Sequence, residues 1–155
     1  MPKLPKFMAS YDKMPKYTVK DVADMMELST YTIRYYENSG LVPGVDRTGG
    51  NIRMFSEYSL SWLRLVHCLR ATGLPIDGVR HYIQLCEKGE STIPERAAII
   101  FAQERSLKQQ IKALNQQMKV LKYKKAYYEK LVAGQETDRC NPAAMVNVEA
   151  SITDK

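Results

Sequence analysis

The stretch TIRYYENSGLVP, Thr32 to Pro43, sets Arg34, Tyr35, Tyr36 and Asn38 together on one short segment that closes at Gly40 and Pro43. Ser29 stands where a helix N-cap belongs and Gly40 where a left-handed terminating residue belongs, which predicts a helix from Ser29 to about Asn38. Just upstream, Thr18 with Asp21 three residues later has the form of a capping box, and Val19, Val22, Ala23 and Met26 recur at helical spacing. Two short helices around a tight turn make a helix-turn-helix. On the second helix Tyr31, Arg34, Tyr35 and Asn38 share one face, while Ile33 and Tyr36 turn toward the first helix. An arginine for a phosphate or a guanine edge, flanked by tyrosine hydroxyls, suits a major groove. Plain packing of two small helices is the alternative that this pair alone leaves open.

The next stretch, VDRTGGNIRMF (45–55), carries a hairpin turn at Gly49-Gly50-Asn51 with Arg47 on one arm and Arg53 on the other. That is the pattern of a small wing. The two arginines have little to pack against in so small a head, so contact with phosphates is the expectation for both. Ser56 then caps a third helix, EYSLSWLRLVHCLRAT (57–72), with Trp62, Leu65, Val66 and Leu69 as its apolar stripe and Gly73 and Pro75 as its stop. A fourth helix is expected from Ile76 to about Lys88, with Ile76, Val79, Ile83 and Cys86 on one face. These two helices close the core of a head spanning 16–89.

From Ile93 the period changes. Apolar residues recur in steps of four and three through Ile100, Leu107, Ile111, Leu114, Met118, Leu121 and Tyr128 to Val132, interrupted only by Glu104 and Lys125. A heptad seam of this length requires another helix against it. No second long helix exists in the chain, so the expected partner is another copy, paired as a homodimer through a coiled coil over 91–132; a folded-back bundle is the alternative. The fold class is therefore mainly α: a winged helix-turn-helix DNA-binding head with a small β-hairpin wing, followed by a long coiled-coil dimerisation helix. Residues 1–15 read as a flexible basic arm and 133–155 as a flexible tail.

Charge supports an anionic partner. Lysine and arginine number 23 against 17 aspartates and glutamates, and the tail beyond Ala133 is acidic, so the positive excess sits in the body. The longest apolar run, AAIIFA (97–102), is far short of the roughly 20 residues that span a bilayer, and the start lacks the apolar stretch of a secretory signal. A cytoplasmic protein without a membrane partner is expected. Cys68, Cys86 and Cys140 are irregularly spaced, with no CxxC and no histidine set to complete a metal site. No metal, cofactor or catalytic constellation is expected: His67 and His81 lack a nucleophile or carboxylate near them in sequence, and there is no phosphate loop.

YTVKDVADMMELSTYTIRYYENSGLV (17–42), then Arg47 with GGNIRMF, a third helix, GLPIDGVRHYI (73–83) and a long terminal helix, resembles the MerR family of transcriptional regulators in unbroken order over 16–132. The resemblance implies a dimer on near-palindromic, double-stranded promoter DNA that distorts the promoter spacer so that RNA polymerase can engage it. Carried over by position, the family's DNA contacts fall on Tyr31, Arg34 and Tyr36 and on Arg47 and Arg53. Periodicity instead turns Tyr35 outward, and both tyrosines are kept as candidates. Ile52 stands where many relatives have a tyrosine. The long helix begins STIPER (91–96), without the cysteine of metal-sensing branches, and the tail is too short for a separate ligand domain. VHCLRATGLPI (66–76), KGESTIPERAAIIFAQER (88–105) and KYKKAYYEKL (122–131) are similar to the compact NmlR and AdhR type. That similarity implies a regulatory thiol at Cys68 that answers aldehydes and related electrophiles. A small buried hydrophobe is the alternative for Cys68; Cys86, on the apolar face of the fourth helix, reads as core, and Cys140 as exposed in the tail. A small apolar ligand is the alternative signal.

Overall fold

The computed structural model describes residues 12–143. Its elements run β1 (Tyr17–Thr18), α1 (Val19–Met26), α2 (Thr30–Asn38), β2 (Asp46–Arg47), β3 (Arg53–Phe55), α3 (Glu57–Ala71), α4 (Ile76–Glu87), a single 3-10 turn (Glu90–Thr92) and α5 (Ile93–Val132). Contacts divide the chain into two units, one ending at Leu107 and the other beginning at Lys108. The head therefore includes the first turns of α5 rather than stopping at residue 89: Ile99 packs on its core, and the Gln103 side-chain amide donates to the Thr72 carbonyl at 2.8 Å.

Local chemistry sets the helix ends. Thr18 caps α1 and Asp21 reaches back to the Thr18 N–H at 2.8 Å, completing the expected capping box. That carboxylate is held below its ordinary pKa chiefly by the Thr18 hydroxyl and then by the Thr18 N–H. The helix ends at Glu27, which takes a left-handed conformation (φ 54°) that L-residues adopt at a cost of about 1–2 kcal/mol. The Leu28 N–H closes the end onto the Ala23 carbonyl at 3.0 Å. Ser29 caps α2 through the Thr32 N–H, and Gly40, at φ 72°, turns the chain out of it as expected.

The wing is the outer part of a three-stranded antiparallel sheet ordered β1-β3-β2. Tyr17 pairs with Phe55 and Thr18 with Met54 on one side of β3; Arg47 pairs with Arg53 and Asp46 with Met54 on the other. The Asn51 N–H donates to the Thr48 carbonyl at 2.8 Å and the Thr48 N–H to the Ile52 carbonyl at 3.0 Å. This is a three-residue loop whose left-handed position is Asn51 (φ 58°), not either glycine.

The core gathers Val22 and Ala23 of α1, Ile33 and Tyr36 of α2, Leu41, Phe55, and Leu60, Leu63 and Val66 of α3 against Val79 and Ile83 of α4. Full burial of such side chains contributes about 1.5–3 kcal/mol each. The expected stripe of α3 is out of phase. Leu60, Leu63, Val66 and Leu69 are its buried line, while Trp62 and Leu65 are only partly covered. On α4, Leu85 is buried and Cys86 only half-buried. The arm expected over 1–15 is held where it is described: the Tyr58 N–H donates to the Asp12 carbonyl at 3.1 Å, Lys16 pairs with Asp12 at 2.8 Å, and the Lys13 ammonium lies 4.8 Å from the centroid of the Tyr58 ring. The rest of that arm, and the tail beyond 143, lie outside the described residues.

The second unit holds the remainder of α5 and the start of the tail. The Tyr127 hydroxyl donates to Asp138 at 3.1 Å and accepts the backbone N–H of Arg139 at 2.8 Å, so the tail is folded onto the helix there. Lys130 pairs with Glu136 at 3.3 Å. Across its 40 residues α5 buries none. At 1.5 Å per residue it is about 60 Å long. No helix among the described residues is long and apolar enough to cross a membrane.

Candidate nucleic-acid interface

The cap at Ser29 and the inward anchors Ile33 (0% exposed) and Tyr36 (7%) fix the rotation of α2. With those two in the core, the opposite face must carry Tyr31, Arg34 and Tyr35. Tyr31 is 76% exposed and Tyr35 42%. Arg34 is exposed and has no hydrogen-bond or ion-pair partner among the described residues. The expectation of a DNA contact from Tyr36 is narrowed to its hydroxyl: the ring packs in the core, and the outward ring of the pair is that of Tyr35, as helical periodicity required.

The wing corrects a second expectation. The sequence offers Arg47 and Arg53 little to pack against, yet both converge on one carboxylate, Glu37 in the last turn of α2. Arg47 Nη2 lies 3.2 Å from Glu37 Oε1 and 3.4 Å from Oε2, and Nη1 donates to the Asn51 side chain at 3.3 Å. Arg53 Nε donates to Glu37 Oε2 at 2.5 Å, and Nη2 to the Asn38 side chain at 2.5 Å. The Glu37 side chain is only 14% exposed, and those of Arg53 and Arg47 are 20% and 40% exposed. Charge-assisted bonds of this kind are the stronger class. The antiparallel register, which sets Arg47 opposite Arg53, is what lets a single glutamate take both.

Between α1, α2 and the wing lies a cleft of about 380 Å³ lined by Thr18, Val19, Lys20, Arg34, Asn51, Ile52 and Arg53. Lys20 and Glu37 were not singled out from the sequence, and Thr18 only as a helix cap. A lysine in the first turn of a helix carries no signature of its own, and only the fold sets it beside Arg34. From α4, Arg80 Nε donates to the Ser39 carbonyl at 3.0 Å and so supports the C-terminal end of α2.

The thiols differ in setting. Cys68 is exposed, not a buried hydrophobe, and Cys140 is exposed as well. Burial pushes the Cys86 thiol up from its ordinary pKa, partly opposed by the Arg96 guanidinium, whose Nη1 is 3.8 Å from the sulfur. Among the described residues no cluster of three or more His, Cys, Asp or Glu side chains is placed to hold a metal.

A capped helix pair that presents a cationic and aromatic face beside a hairpin wing defines a winged helix-turn-helix DNA-binding protein. The model of the MerR HTH family regulatory proteins matches residues 17–86. A helix-turn-helix transcriptional regulator of Haemophilus influenzae is 34% identical over 117 residues, covering 76% of this chain and 87% of its own. The regulator AdhR of Bacillus subtilis is 34% identical over 82 residues, 53% of this chain and 59% of its own. Among solved structures, HiNmlR, described as a MerR family regulator lacking the sensor domain and bound to promoter DNA, is 34% identical with a TM-score of 0.62, covering 77% of this chain and 94% of that one. The chain belongs to the MerR family of DNA-binding transcriptional regulators; its relatives are regulators, not enzymes.

Proposed function

We propose that the protein is a homodimeric regulator that binds near-palindromic promoter DNA and acts by distorting the promoter spacer for RNA polymerase. The observation that carries this reading is the outer face of α2: Arg34 exposed and unpartnered among the described residues, between two exposed tyrosines, in a head whose core is complete without them. Tyr31, Arg34 and Tyr35 read the major groove, Lys20 and Arg47 meet phosphates, and Arg53 secures the wing. The α5 seam supplies the pairing: Ile100, Leu107, Ile111, Leu114, Met118, Leu121 and Tyr128 are all between 39% and 62% exposed in the single chain. A two-fold dimer calls for two half-sites separated by whole helical turns. Hydroxyl-radical footprinting on the DNA upstream of the gene tests this: two symmetric protected tracts are expected, and a single tract, or none, overturns it.

Cys68 is the proposed switch, since it is exposed on α3 where the resemblance sets the regulatory thiol. Its thiolate adds to an aldehyde carbon to form a hemithioacetal, the carbonyl oxygen taking up a proton, with no change of oxidation state. A second reading has an observation of its own. Leu69, Thr72, Leu74, Ile100, Gln103, Glu104 and Leu107 line a mainly apolar groove of about 210 Å³ in the head that would suit a small apolar ligand. Run-off transcription with wild type and Cys68→Ser, with and without an aldehyde, separates the two. An aldehyde response lost in the variant supports the thiol, and a response that survives rejects it in favour of the groove.

A further inference from the structure

We propose that Glu37 is a positioning residue for DNA recognition: one carboxylate that latches both wing arginines to the end of α2 and so sets the distance between wing and recognition helix. The inference rests on the DNA-binding reading above and adds to it a residue that does not itself face the groove.

Three observations carry it. First, a glutamate among the cations of a DNA-binding surface repels phosphate, so its place there calls for a compensating role. Secondly, both of its oxygens are engaged: Oε1 with Arg47 and Oε2 with Arg53, with Arg47 also within 3.4 Å of Oε2. Thirdly, Arg53 spans two successive side chains of α2, Glu37 through Nε and Asn38 through Nη2, a fork that a lysine could not reproduce. The strands supply little of this rigidity. β1 and the buried Phe55 hold the base of β3, but β2 and β3 pair at only two positions, and the tip from Thr48 to Ile52 is exposed throughout. Held only by that hairpin, the wing would sample a range of distances from α2, and the energy of its phosphate contacts would be available on any sequence. Latched, it contributes only where the groove already fits α2.

The latch is read in the free protein by limited trypsin digestion, because trypsin cuts after Arg47 and Arg53. Cleavage in the wing of Glu37→Gln is expected to be roughly tenfold faster than in wild type, the effect of losing one charge-assisted partner, while the thermal midpoint of the head, followed through Trp62, changes little. Unchanged cleavage overturns the latch. Its role in recognition is read by fluorescence anisotropy at fixed salt with the upstream duplex and a scrambled duplex. For Glu37→Gln and for Arg53→Lys the ratio of the two affinities should fall by roughly tenfold. The double variant should lose less than the sum of the two single losses, because both changes break the shared Glu37–Arg53 contact. An equal change in affinity for both duplexes, or additive losses, overturns the positioning role. A wild-type protein with no preference for the upstream duplex, but with accelerated cleavage of Glu37→Gln, rejects the DNA reading and leaves the latch in place.

Discussion

Helices α3 and α5 both carry long apolar stripes, and they solve them in opposite ways. α3 buries Leu60, Leu63, Val66 and Leu69 inside the head, whereas α5, more than twice as long, has no fully buried residue and only packs Ile99 partly against the core. Exposed side chains such as Leu114 (61%) and Leu121 (62%) at heptad spacing are therefore free to stabilise an assembly, while the stripe of α3 is already committed to the fold. The head's stability should then be independent of protein concentration and that of α5 dependent on it.

The largest expected effect is on the head side of that contrast. Phe55, fully buried where β3 meets the core, should cost about 3–5 kcal/mol when changed to alanine. Urea denaturation followed by Trp62 fluorescence would show it, and the loss should be the same at every protein concentration. On the other side, Leu114→Ala should weaken pairing by about 2–3 kcal/mol per contact layer, the lower part of the range for a buried leucine. Sedimentation equilibrium would then show dissociation at concentrations where wild type remains dimeric, with the Trp62 transition of the head unmoved. A head that melted with the dimer would break the distinction. A smaller effect is expected at Ser56, which is buried and reciprocally bonded with Ser59 at the start of α3. Ser56→Ala should cost about 1–2 kcal/mol, again only in the head.

The smallest effect concerns pH. The Asp21 carboxyl has its pKa lowered in the folded protein, first by the Thr18 hydroxyl, so its contribution is present above the unfolded carboxylate value near 3.8 and is lost as pH falls through the folded value. Asp21→Asn should flatten that acid limb of the stability profile and leave the curve at neutral pH nearly parallel to wild type. An acid limb as steep as wild type's would show that the capping box does not contribute to it.

Much of the head was legible because its signals are local. The capping box at Thr18 and Asp21, the caps at Ser29 and Ser56, the stop at Gly40 and the hairpin around Asn51 each lie within a few residues of what they control. The phase of α3 was not legible, since apolar residues at 60, 62, 63, 65, 66 and 69 cover most of its circumference and only the neighbouring helices select the buried arc. β1 was missed because two residues carry no period. The clearest omission in the candidate site, Glu37, has the same cause: its partners lie 10 and 16 residues away and meet it only after the hairpin has closed. Tyr35 and Tyr36 teach the converse. There the period of the helix identified the outward ring, and the position taken from the resemblance pointed to the buried one.

The central claim is that the outer face of α2 recognises DNA while the seam of α5 serves assembly, and Arg34→Ala tests it most directly. Anisotropy with the upstream duplex should show binding weakened by at least about tenfold, the lower end for losing one base-reading or phosphate-bound arginine, with the sedimentation mass unchanged. Wild-type affinity in that variant, or loss of the dimer along with the binding, would contradict the account.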